Sequence, residues 1–253
     1  MVRTRLPILL CLLLLLLPAC GKKGPLRPKL APLPAAPAEF GVRQLGSEML
    51  LSWTLPAANQ DGSALEGLRS LHLYRSEFEL AEECPECRDS AGPYRRIDLE
   101  YLQQAQRAGN RLRLLDPAIR PGLVYRYRLV ALDQAGHEGA PATARIIAQP
   151  PPPAPQQLLA TPLDRQVRLS WQPVVAPAGS TLVGYNVYRR TPAEAFGERP
   201  VNLAPLTETS FDLFGLDNGQ VYVFGVRSLV RNGPHLVESP LAETAPVTPK
   251  IGQ

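Results

Sequence analysis

Residues 167–174, VRLSWQPV, repeat residues 49–56, MLLSWTLP, with Trp171 in the place of Trp53. Each stretch runs through short apolar residues to a tryptophan and then to a proline. In VRLSW the bulky apolar and polar residues alternate, the pattern of a strand with one face buried. The repeat continues outward from the tryptophans. LHLYR (71–75) matches YNVYR (185–189), pairing Tyr74 with Tyr188, and GLVYRYRLVAL (122–132) matches GQVYVFGVRSL (219–229), pairing Tyr125 with Tyr222. Ile119 and Leu216 each stand six residues before those last tyrosines.

The two copies differ by insertion. The tryptophans are 118 positions apart and Tyr125 and Tyr222 are 97 apart. The first copy therefore carries four extra residues between its tryptophan and first tyrosine, and 17 more between its tyrosines. Turn pairs punctuate the strands at Asp61-Gly62, Pro121-Gly122, Asn218-Gly219 and Asn232-Gly233. About seven short runs in roughly 95–110 residues point to an antiparallel sandwich. Trp53 and Trp171 are expected to fill the space between its sheets.

Each copy resembles a fibronectin type III domain. The resemblance rests on the strand-B tryptophan, the Tyr-Arg ending of strand C, and the PG-x-x-Y or NG-x-x-Y corner before strand F. VALDQAGHEGAPA (130–142) is also similar to the F–G segment of that family. The resemblance implies an all-β chain of two tandem antiparallel immunoglobulin-like sandwiches, over residues 39–148 and 154–248. Tyr125 and Tyr222 become tyrosine-corner residues, each bonding a backbone group a few residues upstream. The insertion of the first copy falls at about 76–110. Within it EYLQQAQRAG (100–109) has helix formers ending at a glycine, which predicts a short surface helix. QPPPPAPQ (149–156) supplies a stiff linker, with prolines at 150–153, that separates the modules and limits their rotation. Residues 249–253 form a tail.

The other end of the chain reads differently. Arg3 and Arg5 precede a ten-residue apolar run, Ile8 to Leu17, followed by Pro18, Ala19 and Cys20. A spanning helix needs about 20 apolar residues, so this run fits a secretory signal over 1–19. The Leu-x-Ala-Cys junction resembles the bacterial lipobox. That resemblance implies lipidation of Cys20, which becomes the first residue of the mature chain. Gly21, in place of an aspartate, then implies the outer membrane of a Gram-negative envelope. CGKKGPL (20–26) also resembles the start of small lipoproteins linked to lipopolysaccharide assembly. Residues 20–38 are a lipidated, proline-rich tether. In polyproline II form its residues 21–38 reach roughly 50 Å from the bilayer.

Composition narrows the function classes. Dropping Arg3 and Arg5 from the 27 basic residues leaves 25 against 23 acidic ones. So balanced a chain implies neither nucleic acid nor an acidic substrate, and no nucleic-acid partner is expected. No G-x-S-x-G, G-x-G-x-x-G or H-E-x-x-H occurs. NQDGSALEG (59–67) lacks the full ligand spacing of a calcium loop and reads as a turn. Cys84 and Cys87, in ECPEC, are expected to close a local disulfide in an oxidising compartment. A metal half-site completed by His72 and His137, or a redox role, stays open as another reading of that pair. No cofactor and no catalytic residue is expected. The leading expectation is a non-catalytic, lipid-anchored envelope protein whose two modules bind another envelope protein or a glycan. An accessory role in lipopolysaccharide or outer-membrane assembly is the alternative.

Overall fold

The computed structural model describes residues 32–82 and 92–251. The signal segment, Cys20 and most of the tether, and the Cys84–Cys87 pair, lie outside the described residues. Among the described residues the chain is all-β, with a single 3-10 turn at Leu80–Glu82. The first module contains β1 (Ala38–Leu45), β2 (Glu48–Thr54), β3 (Leu68–Phe78), β4 (Arg95–Asp98), β5 (Gln106–Ala108), β6 (Arg111–Asp116), β7 (Val124–Asp133) and β8 (Glu138–Ile147). The second contains β9 (Gln156–Leu163), β10 (Gln166–Gln172), β11 (Thr181–Arg190), β12 (Ser210–Phe214), β13 (Val223–Asn232), β14 (His235–Glu238) and β15 (Ala242–Glu243).

In the first module the order β1-β2-β6-β5 faces β4-β3-β7-β8; in the second β9-β10-β12 faces β11-β13-β14, with β15 added on β13. Within each module the pairs are antiparallel. These are two tandem sandwiches of the fibronectin type III kind.

Alternation explains each core. The inward row of β2 is Met49, Leu51 and Trp53, met by Leu112 and Leu114 of β6 and by Leu71, Leu73, Tyr125, Tyr127 and Leu129 of the opposite sheet. Val167, Leu169 and Trp171 do the same work in the second module, against Tyr185, Val187, Phe224 and Val226. Trp53 is fully buried and packs edge-on to Phe40 at 6.3 Å, and Trp171 to Tyr185 at 5.3 Å. Neither indole N–H meets an acceptor among the described residues.

The corner tyrosines tie strand to loop. The Arg120 N–H donates to the Tyr125 hydroxyl at 2.7 Å, and the Asp217 N–H to the Tyr222 hydroxyl at 3.2 Å. Replacing Tyr125 by Phe removes the first bond while keeping the ring. We expect a loss of about 1 kcal/mol in urea unfolding, and a smaller loss for Tyr222→Phe, whose bond is longer.

The helix expected over 100–109 does not form. Gln106–Ala108 is instead β5, paired with β6 through Ala108↔Arg111, Arg107↔Leu112 and Gln106↔Arg113. Three local features defeat the helix. The Asp98 carboxylate captures the N–H groups of Glu100 (2.8 Å) and Tyr101 (3.3 Å), Gln103 adopts φ +43°, and Gly109 at φ +60° closes a two-residue hairpin. Helix propensity is a weak preference beside an open strand edge that supplies backbone partners.

Residues 149–155 carry no strand, yet they are pinned at both ends. The Gln149 N–H donates to Gln44 Oε1 (2.8 Å), and the Ser228 hydroxyl donates to the Pro153 carbonyl (2.7 Å).

Candidate interaction surface between the modules

A strand at the surface of a free sandwich turns alternate residues to water. By that rule Asn186 and Tyr188 of β11, Arg227 of β13 and Glu238 of β14 belong to the wet face of the second module. Asn186, Tyr188 and Glu238 are nevertheless buried, at 9%, 3% and 5% exposure. The first module covers them. Leu45 at the end of β1 pairs in parallel with Glu238, and the Gly46 N–H donates to the Glu238 carbonyl at 2.8 Å. Two sheets, one from each module, thereby join in the order β11-β13-β14-β1-β2-β6-β5. Gly46 has φ +61°, and a Cβ there would stand 2.6 Å from the Pro240 nitrogen. Only glycine permits this approach.

Three of the buried polar groups form one hydrogen-bonded cluster. The Asn186 amide and the Tyr188 hydroxyl (2.7 Å) both donate to Glu238 Oε1. Glu238 Oε2 accepts no hydrogen bond among the described residues and lies 3.8 Å from Arg43 Nη1. Burial pulls the Arg227 guanidinium below its ordinary range, opposed by the Glu238 and Tyr188 charges. Burial, reinforced by the Glu238 carboxylate, raises the Tyr188 phenol. At the rim Arg43 donates to the Glu198 carbonyl, while the Glu198 carboxylate accepts from Arg111 Nε at 3.2 and 3.3 Å. That bond, assisted by Glu39 at 2.8 Å, raises the Arg111 guanidinium further.

Between the modules lies a cleft of about 730 Å³. Leu50, Leu115 and Arg113 of the first module line one side; Tyr188, Phe196, Leu241 and Arg227 of the second line the other. A neighbouring hollow of about 710 Å³ shares Gln106, Arg113 and Gly197 with it. A concave surface of this size suits a segment of a partner or a small ligand. It offers guanidinium groups, apolar contact and one strand edge.

Trp53, Trp171, Tyr125 and Tyr222 lie inside the modules and take no part in this surface. His72 and His137 engage different carboxylates: His72 Nδ1 is 3.6 Å from Glu138, and His137 Nδ1 is 3.0 Å from Asp133. Among the described residues no group of three His, Cys, Asp or Glu is placed to hold a metal. The junction residues were missed by sequence reasoning. Their signal is faint: a tyrosine, an asparagine and an arginine at outward strand positions of a module flanked closely by another.

No family model matches the chain. Among solved structures it is similar to the chicken CNTN1 FN1–FN3 domains, at 16% identity over 87% of this chain and 69% of that one, with a TM-score of 0.34. It is also similar to the twitchin kinase region from C. elegans, at 26% identity over 39% of this chain and 17% of that one, with a TM-score of 0.33.

Proposed function

We propose that this chain is a non-catalytic, lipid-anchored envelope protein. Cys20 carries the acyl chains, the proline-rich tether sets the distance from the bilayer, and the two modules bind another envelope protein or a glycan. The observation that supports binding most is the cleft of about 730 Å³, formed by two modules whose sheets are joined by backbone pairing. A surface built across such a junction meets a partner already ordered, which lowers the cost of association. Several acyl chains hold a protein at a membrane where a single chain binds only marginally.

Crosslinking tests the reading. A photo-reactive residue at Leu115, which is 44% exposed, is introduced into the full chain in cells. A discrete adduct with an envelope component is the expected result. Uncrosslinked chain alone, or mass spectrometry showing Cys20 without acyl chains, overturns the proposal.

A further inference from the structure

The internal repeat gives each surface of one module a control in the other. On the outer face of the β2–β6 pair, Leu50 stands opposite Leu115. At the same register of the second module Arg168 stands opposite Asp212, and the two pair at 2.8 and 3.0 Å. At this register the second module thus presents the charged pair expected of a sheet in water, and the first an apolar pair. Leu50 is covered at the junction, but Leu115 remains 44% exposed in the cleft.

In the adjoining hollow, which shares Arg113 with the cleft, the cations outnumber the carboxylates. Arg107 Nε donates to the Gly109 carbonyl at 2.8 Å and Arg113 Nε to the Gln106 side chain at 2.6 Å. Neither these two nor Arg199 pairs with a carboxylate among the described residues. Among the acids of the walls, Glu39 and Glu198 are engaged by Arg111, and Glu243 by Arg190. Glu194 accepts the Thr191 hydroxyl at 2.8 Å, and Glu48 lies toward the half-buried Arg227.

Backbone groups are on offer at the same place. β5 is the outermost strand of its sheet. Ala108 and Arg111 flank a two-residue turn, so they form a hydrogen-bonded pair, and the N–H and C=O of Arg107 point away from β6. An exposed strand edge is a template for an added strand.

We infer that the groove along β5 takes an extended, acidic segment of a partner protein. Its backbone meets Arg107, its apolar residues meet Leu115, and its carboxylates meet Arg107, Arg113 and Arg199. This rests on the binding role proposed above and names the chemistry of the partner. A folded anionic glycan has the charge but lacks the backbone donors and acceptors that a strand edge pairs with.

The full chain is titrated against a labelled peptide alternating Glu and Val, its Lys-Val counterpart, and polygalacturonate. We expect saturable binding of the Glu-Val peptide, weakened by salt, and no saturation with the Lys-Val peptide. Arg113→Glu and Arg199→Glu, the latter at an exposed position, should each weaken it about tenfold, with unfolding curves unchanged. Equal binding of both peptides, no loss in the Arg199→Glu chain, or tighter binding of polygalacturonate overturns the inference. The crosslinking at Leu115 separates the two failures. An adduct that persists unchanged in Arg199→Glu sinks the acidic segment alone, whereas absence of any adduct sinks the binding role itself.

Discussion

Asp116→Ala is expected to destabilise the first module by ~3–5 kcal/mol. The Asp116 side chain is fully buried at the end of the inward row Leu112, Leu114, Asp116. Its carboxylate accepts two bonds from Arg75 Nη1, at 2.9 and 3.0 Å. It also accepts the hydroxyls of Tyr94 (2.8 Å) and Tyr127 (2.7 Å). Arg75 continues the inward row of β3 after Leu71 and Leu73, and its guanidinium lies over the Tyr94 and Tyr125 rings at 4.7 and 5.1 Å. Burial acts to lower the pKa of Arg75, but bonding to Glu77 and the Asp116 charge outweigh it, so the group stays charged. Truncating Asp116 therefore strands a guanidinium and two hydroxyls at once.

The second module shows how the same place is filled without charge. At the register of Asp116 and Tyr127 stand Leu213 and Phe224, both buried, and the counterpart of Arg75, Arg189, is exposed. An apolar replacement of a buried network loses less than the removal of one member. Asp116→Leu combined with Tyr127→Phe should accordingly recover a measurable part of the Asp116→Ala loss. Urea unfolding followed by tryptophan fluorescence reads both, because Trp53 reports the first module and Trp171 the second. A double variant no more stable than Asp116→Ala would show that the network is not acting as a unit.

Glu238→Ala should cost a similar amount, ~3–5 kcal/mol, at the junction. It deprives Asn186 and Tyr188 of their shared acceptor and leaves the half-buried Arg227 guanidinium without the carboxylate charge that opposes its desolvation. The control is Glu138→Ala. Leu132↔Glu138 and Leu229↔Glu238 are equivalent pairings, and the Tyr74 hydroxyl meets Glu138 at 2.9 Å as Tyr188 meets Glu238. The Glu138 side chain is 45% exposed and that of Glu238 only 6%. The Glu138 variant should lose less than about 1 kcal/mol. Loss of the junction should also separate the transitions of Trp53 and Trp171. Overlaid transitions in Glu238→Ala would mean that Leu45, Gly46 and Gln44 hold the modules together without it.

Much of the module fold was legible because its determinants are local. Period-two alternation around Trp53 and Trp171 assigns inward rows, and the Tyr125 and Tyr222 hydroxyls make the upstream backbone bonds that the family resemblance implies. Within the insertion of the first module, EYLQQAQRAG was misread. Composition favoured a helix, while the Asp98 side chain and the unpaired edge of β6 favoured a hairpin, and neither competitor appears in a propensity.

By itself the sequence determined two sandwiches and the inward rows of their cores, since alternation and turn chemistry act within one module. Tertiary structure alone decided which of two equivalent Tyr–Glu pairs is dry. Tyr74–Glu138 and Tyr188–Glu238 sit at the same register and read alike along the chain. Only the second is covered by a neighbouring sheet, and burial depends on what surface arrives from elsewhere in the chain, which no local pattern encodes.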